Sequence, residues 1–205
     1  MQELLAYGAF AFVIGLTGAV APGPMLVATI DASVRDGWKA GPMVVAGHMA
    51  IELVLSALVL LGFAAIALQY FSLVAAAGGV ALIIFGVLSI SGASARQASP
   101  EDAPPAVHPF VAGVVTSASN PYFWIWWLTI GSAFVLSGYQ TGMIMAMAFM
   151  GGHWMADLGY YTLVAAATER GRELLPEKGY RLVLSATGVF LIVFGLYYLT
   201  SVAFP

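Results

Sequence analysis

Long apolar stretches alternate with short polar or proline-containing breaks along the whole chain. The six stretches cover residues 4–34, 41–68, 72–90, 110–136, 142–167 and 180–202. A helix needs about 20 apolar residues to cross about 30 Å of hydrocarbon, and most of these stretches are longer, which predicts tilt or interruption. The pattern predicts an all-α membrane protein with six transmembrane helices, in a single integral membrane domain over residues 1–205.

The first stretch also has a feature of secretory signals, because Ala19, Val20 and Ala21 resemble a cleavage site. The residues before it lack the basic side chains typical of such a signal, and a proline would follow the cut. We therefore expect this stretch to be a retained span.

Composition narrows the function classes. The 205 residues are 61% hydrophobic and 8% charged, with seven Lys and Arg, ten Asp and Glu, and no Cys. Soluble domains carry about 25% charged residues, so a soluble enzyme and a nucleic-acid binder are excluded. The absence of Cys excludes disulfides, thiol-redox chemistry and Cys-ligated metals.

The basic residues indicate which loops face the cytoplasm. They are Arg35, Lys39, Arg96, Arg170, Arg172, Lys178 and Arg181. All seven follow spans one, three and five, so the positive-inside rule predicts that these loops are cytoplasmic and that both termini are outside. We expect a multi-pass protein of the cell (inner) membrane. The longest loop, about residues 92–108, contains three prolines and is predicted to be a flexible cytoplasmic linker.

The two halves of the chain resemble each other, which predicts a repeat at about 1–91 and about 109–205. Residues 47–53 and 152–158 both read Gly-His-x-x-x-acid-Leu, and residues 79–86 and 188–195 are both apolar segments with Gly at each end. Two copies with three spans each have inverted topology, an arrangement typical of many secondary transporters. The alternative is an old gene duplication retained only for folding.

Proline interrupts spans one and four near their middles. A proline inside a helix costs about 3 kcal/mol, and exposed backbone at this depth must be buried by protein or reached by water. A second half-helix would begin at each break, where its N-terminus suits a carboxylate. The candidate substrate-binding residues at the breaks are Pro22, Gly23, Pro24, Ser119, Asn120 and Pro121. The alternative is two kinks that only shape packing.

Two acidic residues, Glu52 and Asp157, are expected near the midplane of spans two and five. A carboxylate there costs about 2.5–3.5 kcal/mol, so it should face a cavity or a partner. His48 and His153 precede them by four residues and share their helix faces. We predict that the two acids bind substrate and that all four residues take part in proton coupling. Two alternatives remain open: structural His–carboxylate hydrogen bonds, or a transition-metal site with mixed N and O ligands.

With these residues identified, the chain resembles the LysE/RhtB family of amino-acid exporters over essentially its whole length. The matching motifs are Gly18 followed by Pro22-Gly23-Pro24, and Asn120-Pro121 followed by Tyr122-Phe123-Trp124. Many members have Lys where this chain has Tyr122. Glu52 and Asp157 are similar to the carboxylates that matter in the family.

The resemblance implies a secondary transporter, not an enzyme, which exports basic or small neutral amino acids by proton antiport and alternating access. The expected partners are the amino acid, protons and the lipid bilayer, with a homodimer as an open alternative, no nucleic acid and no cofactor. The wider superfamily also includes divalent-metal exporters. The alternative function is therefore export of a transition metal through His48, Glu52, His153 and Asp157.

Overall fold

The apolar stretches form helices throughout the described part of the chain. A computed structural model describes residues 1–21, 23–62, 71–98, 107–174 and 177–203. The helices are α1 (Gln2–Ala19), α2 (Pro24–Asp36), α3 (Ala40–Leu60), α4 (Phe71–Ala98), α5 (Pro109–Ala118), α6 (Pro121–Trp126), α7 (Ser132–Thr141), α8 (Met143–Leu174) and α9 (Glu177–Ala203), with a π-helical turn at Trp127–Gly131. All regular structure in those ranges is helical, so the predicted all-α fold class is confirmed.

The helices follow the predicted stretches, with two differences at the boundaries. Helix α4 continues to Ala98, into the segment predicted as linker, and residues 99–106 of that linker lie outside the described residues. Helix α3 ends at Leu60, before the predicted end of its stretch, and residues 63–70 lie outside the described residues. The sequence stays apolar after Leu60, whereas α4 continues for about two turns beyond its apolar stretch, so hydropathy alone did not locate either helix end.

Length and composition mark α1 and α3 as long and apolar enough to cross a membrane among the described residues. Their mean hydropathies over the best 18-residue windows are 1.3 and 2.1. Shorter apolar helical segments occur at Ala76–Leu88, Pro109–Ala118 and Ser185–Thr200.

Both proline breaks occur where the sequence predicts them. Helix α1 ends at Ala19, and α2 begins at Pro24 after an extended Gly23. Helix α5 ends at Ala118, and Asn120 caps α6 because its Oδ1 accepts a hydrogen bond from the Tyr122 N–H at 3.1 Å. Proline at the first helical position lacks only an N–H that would be unpaired anyway, so each break starts a new half-helix.

Helices α4 and α9 cross in antiparallel directions at two glycine pairs. A Cβ on Gly79 would lie 2.7 Å from the Gly195 carbonyl oxygen, and a Cβ on Gly195 would lie 2.5 Å from that of Gly79. Gly86 and Gly188 are related in the same way. The glycines at the ends of the two repeated apolar segments therefore permit close contact between α4 and α9.

Glycines also set the spacing of the helices that carry the midplane residues. On α3, Gly47 lies against the Phe110 carbonyl of α5, and Gly113 of α5 lies against the Val44 carbonyl of α3. On α8, Gly152 lies against the Gly8 carbonyl of α1. These contacts bring the backbones so close that a methyl group would not fit. Helices α3 and α8 are thereby held against α5 and α1, respectively.

We predict that Gly113→Ala lowers stability by about 1–3 kcal/mol, because the added methyl would overlap the Val44 carbonyl and force α3 and α5 apart. The measurement is the midpoint of thermal unfolding in detergent, followed by tryptophan fluorescence. Gly159→Ala is the matched control, because Gly159 lies inside α8 with open space where its Cβ would be. Equal midpoints for the two variants would contradict the prediction.

Candidate functional site

The four titratable residues predicted near the midplane lie together in one buried cluster. His48 and Glu52 are one turn apart on α3, and His153 and Asp157 are one turn apart on α8. Their exposed fractions are 8%, 0%, 3% and 2% in that order. Each offers one nitrogen or oxygen atom, and these atoms lie within 4.8 Å of one another. Packing of α3 against α8 thus joins two motifs more than 100 residues apart in sequence.

Glu52 is the centre of the cluster and accepts four hydrogen bonds. Its Oε1 accepts from Trp127 Nε1 at 2.9 Å, from His48 Nε2 at 2.8 Å and from His153 Nε2 at 2.9 Å. Its Oε2 accepts from Trp154 Nε1 at 2.7 Å. A carboxylate has about four lone-pair sites for hydrogen bonds. The Glu52 carboxylate is therefore satisfied by the protein itself.

The hydrogen bonds also fix where the histidine protons lie. Both Nε2 atoms face the same carboxylate oxygen, so each ring carries a proton at Nε2. Nδ1 of His48 lies 2.7 Å from Ser117 Oγ, which ties the cluster to α5. In a neutral His48 ring, Nδ1 accepts the hydrogen bond and the Ser117 hydroxyl donates it.

Asp157 stands in a different environment from Glu52. Its Oδ2 is 3.4 Å from His153 Nε2 and 3.7 Å from His48 Nε2, but it has no hydrogen-bond partner among the described residues. Nδ1 of His153 also has none there. A buried polar atom without a partner is costly, so native structures usually supply one from the protein, water or a ligand. Of these two atoms, His153 Nδ1 is packed against Gly15 of α1, whereas Asp157 belongs to a residue that lines the cavity.

Aromatic rings enclose His153. The Trp126 ring stacks on it with centroids 4.8 Å apart and planes 20° apart, Phe149 lies parallel to it at 6.2 Å, and Trp127 meets it edge-on at 5.6 Å. Trp126 ends α6, and Trp127 begins the π-helical turn. Turns of this kind hold an extra residue and occur frequently at functional sites. Here the turn coincides with two consecutive indoles that both reach the cluster.

A cavity of about 320 Å³ opens beside the cluster. This volume is at the lower end of the roughly 300–1,000 Å³ typical of small-molecule sites. The lining residues are Gly18, Ala19, Ala21, Gly23, Met25, His48, Glu52, Ser117, Asn120, Tyr122, Phe123, Trp126, Trp127, His153, Asp157, Tyr161 and Phe194. The cavity thus connects the buried cluster with residues from both proline breaks.

The structure places the residues predicted at the breaks in different environments. Gly23 and Asn120 line the cavity. Pro24 is fully buried but is not among the lining residues. Ser119 is also buried outside the lining set, and its hydroxyl donates back to the Val115 carbonyl of its own helix. Pro121 begins α6, and Pro22 lies outside the described residues.

Three contributors to the cluster are absent from the predicted substrate-binding and proton-coupling residues. Ser117 lines the cavity in place of Ser119, and Trp127 and Trp154 donate to Glu52. Ser117 belongs to the polar segment before the break, which was a usable signal. The two indoles carried no comparable signal, because tryptophans in an apolar helix are more often packing or lipid-facing residues.

The two carboxylates of the site differ in their hydrogen bonding. Around Glu52, N–H groups surround a carboxylate whose acceptor sites are filled, whereas Asp157 presents an acceptor without a partner. A cationic group can bind at Asp157 without first displacing a protein donor. Ser117, His48 and Glu52 are hydrogen-bonded in sequence, with Ser117 Oγ 2.7 Å from His48 Nδ1 and His48 Nε2 2.8 Å from Glu52 Oε1.

The comparisons with known proteins agree with this picture at the level of the family. No curated protein and no solved structure matched the chain. A family model described as LysE type translocator matches residues 16–202, so it covers both proline breaks and all four cluster residues. The chain therefore belongs to the LysE type translocator family, and it is a membrane protein of a transporter family rather than a member of an enzyme family.

Proposed function

We propose that the chain is a secondary transporter that exports amino acids from the cytoplasm in exchange for protons. Family membership supports a membrane exporter in general. The observation that carries the finer proposal is the buried cluster of two histidines and two carboxylates beside a cavity bounded by both proline breaks. A zwitterion needs a site for an ammonium group and a site for a carboxylate, and this cavity offers candidates for both.

The substrate carboxylate is proposed to bind at the breaks. The N-terminus of α2 has no side-chain cap among the described residues, whereas Asn120 caps α6. Uncapped N–H groups and the partial positive charge of a helix N-terminus suit an anion. Gly23 and the side-chain amide of Asn120 lie beside each other at the cavity wall. This end of the cavity therefore supports the predicted role of Gly23, Pro24, Asn120 and Pro121.

The ammonium group and the coupling proton are proposed to share the cluster at the other end. Glu52 and Asp157 are both buried and both within ion-pair distance of the two histidines. In such a cluster, binding one cation changes the affinity for another, which is the coupling an antiporter needs. His48 and His153 are suited to carry protons because imidazole titrates near neutral pH.

Alternating access is proposed to arise from an inverted three-helix repeat. The packing supports this, because α8 lies against α1 as α3 lies against α5, and α4 crosses α9 through reciprocal glycine pairs. A two-fold relation between the halves would produce each of these pairings. Exchange of conformation between two such halves would turn a cavity open on one side into a cavity open on the other.

A second candidate function is export of a divalent transition metal. The observation in its favour is that four buried residues offer nitrogen and oxygen ligand atoms within 4.8 Å of one another. Two imidazoles and two carboxylates suit Zn²⁺ and similar ions as cargo. Against it, both Nε2 atoms donate to Glu52, so metal binding would require each ring to expose a lone pair instead.

We predict that Glu52→Gln and Asp157→Asn each reduce amino-acid exchange at least about tenfold, because an amide carries no negative charge to balance the cations of the cluster and its nitrogen cannot accept a hydrogen bond. The measurement is counterflow of radiolabelled amino acids in proteoliposomes, with leucine, threonine and lysine as probes. Asp36→Asn is the matched control, because the Asp36 side chain is 47% exposed at the end of α2.

Unchanged exchange in both cluster variants would contradict the proposed carboxylate roles. The same wild-type liposomes test the coupling ion. An imposed pH gradient should concentrate the amino acid, and a protonophore should abolish this while leaving counterflow intact. Accumulation that ignores the protonophore would overturn proton antiport.

The proposed topology predicts opposite labelling of two exposed positions in this naturally Cys-free chain. Lys39 lies between α2 and α3 on the proposed cytoplasmic side, and Gln140 lies near the end of α7 on the proposed outer side. On intact cells, a membrane-impermeant maleimide should label Gln140→Cys, and it should label Lys39→Cys only after permeabilisation. The reverse pattern would overturn the orientation, with both termini outside and basic loops cytoplasmic.

The metal candidate predicts calorimetric binding of Zn²⁺ to the purified protein and its loss in His48→Ala and His153→Ala. It also predicts Zn²⁺ movement in the proteoliposomes. Amino-acid counterflow without Zn²⁺ movement would reject the metal candidate, and the opposite result would reject amino-acid export.

A further inference from the structure

The two cluster carboxylates look equivalent in sequence, but only one of them has room for a ligand. All four N–H groups around Glu52 come from the protein, at 2.7–2.9 Å. Three of these donors share Oε1, one contacts Oε2, and Glu52 is completely buried, so a substrate ammonium could reach its oxygens only if the surrounding side chains moved. Glu52 is therefore the structural anchor of the cluster and not its cation site.

Asp157, in contrast to Glu52, has a carboxylate oxygen that can accept a further hydrogen bond. Asp157 lines the cavity, and its Oδ2 is buried and has no hydrogen-bond partner among the described residues. Among the described residues that line the cavity, Glu52 and Asp157 are the carboxylates, so Asp157 is the one that can accept a cation there. The described part of the cavity wall therefore offers one acceptor for a positive group of a ligand.

A basic amino acid would bring two positive groups into this space. One could pair with Asp157, but the other would lie near histidines and filled acceptors. A charge that is buried without a partner costs several kcal/mol, and the penalty is larger within the membrane. A neutral amino acid brings one ammonium group and one carboxylate, and it leaves no charge unmatched.

Apolar and aromatic side chains form much of the remaining wall. Met25, Phe123 and Trp126 are at least nine-tenths buried and line the cavity, as does Phe194. Trp126 already has one ring face on His153, and Phe123 meets His48 edge-on. These surfaces gain free energy by covering apolar area and offer no hydrogen bond to a side-chain hydroxyl.

We infer that the substrate is a neutral amino acid with an apolar side chain, of the size of leucine or methionine, whose ammonium group binds Asp157. This inference rests on the proposed amino-acid export and deepens it by choosing a substrate class. It assigns Glu52 to positioning, through its bonds to His48, His153, Trp127 and Trp154. The cavity of about 320 Å³ has room for one such molecule.

The test is direct binding to the purified full-length protein in nanodiscs, by calorimetry. The probes are L-leucine, L-methionine, L-threonine, L-lysine and L-arginine. Two analogues of leucine complete the set: 4-methylpentanoate, which lacks the ammonium group, and 3-methylbutylamine, which lacks the carboxylate. We expect leucine and methionine to bind at least about tenfold more tightly than lysine, arginine and threonine, and we expect each analogue to lose at least about tenfold relative to leucine.

Asp157→Asn should weaken leucine binding at least about tenfold and should leave the already weak binding of 4-methylpentanoate unchanged, because that analogue has no cation to pair. Asp36→Asn, outside the cavity, should bind leucine as the wild type does. The analogue comparison on the wild-type protein keeps the test decisive if Asp157→Asn fails to fold.

The outcomes separate this inference from the proposed function. Lysine or arginine bound as tightly as leucine, threonine preferred over leucine, or 4-methylpentanoate bound as tightly as leucine would each overturn the inference and leave amino-acid export standing. Failure of every amino acid both to bind and to exchange in counterflow would overturn the proposed function as well.

Discussion

The rest of the structure depends on how the free-energy cost of burying the Glu52 carboxylate is offset. Glu52 is completely buried in an apolar helix, and its burial is tolerable because four N–H groups converge on it. These donors come from α3, α8 and the π-helical turn, so satisfying one side chain fixes the relative positions of three segments. Glycine contacts at Gly47 and Gly152 in turn hold α3 against α5 and α8 against α1.

Much of this arrangement could be predicted from sequence, because it follows from local chemistry. Proline positions gave both helix breaks, and the repeated His-x-x-x-acid motif gave the residues that meet in the cluster. The family resemblance was confirmed by the match over residues 16–202. Each of these features can be inferred from the spacing of residues along one helix or from the backbone restrictions of a single residue.

The other features of the site depend on how the helices are rotated and placed relative to one another. Whether Ser117 or Ser119 faces the cavity is decided by rotation of α5 relative to its break, and two residues on a helix differ by about 200°. The roles of Trp127 and Trp154 depend on where their N–H groups point, which hydropathy does not encode. The repeated motif does not distinguish Glu52 from Asp157. They differ in hydrogen bonding, because the neighbouring N–H donors are placed to contact the oxygens of Glu52.

The hydrogen bonds of Glu52 divide the segments around the cavity into two groups. The donors lie on α3, α8 and the turn after α6, while α2 and α9 line the cavity through Met25 and Phe194 and give Glu52 none of its described hydrogen bonds. Motion among the first group would break bonds that nothing in the membrane interior could replace, so these segments form a rigid frame. Helix α9 is instead joined to the break between α5 and α6, because the Tyr198 hydroxyl donates to Asn120 Oδ1 at 2.9 Å. A displacement of α2 or α9 would therefore leave every described hydrogen bond of Glu52 intact.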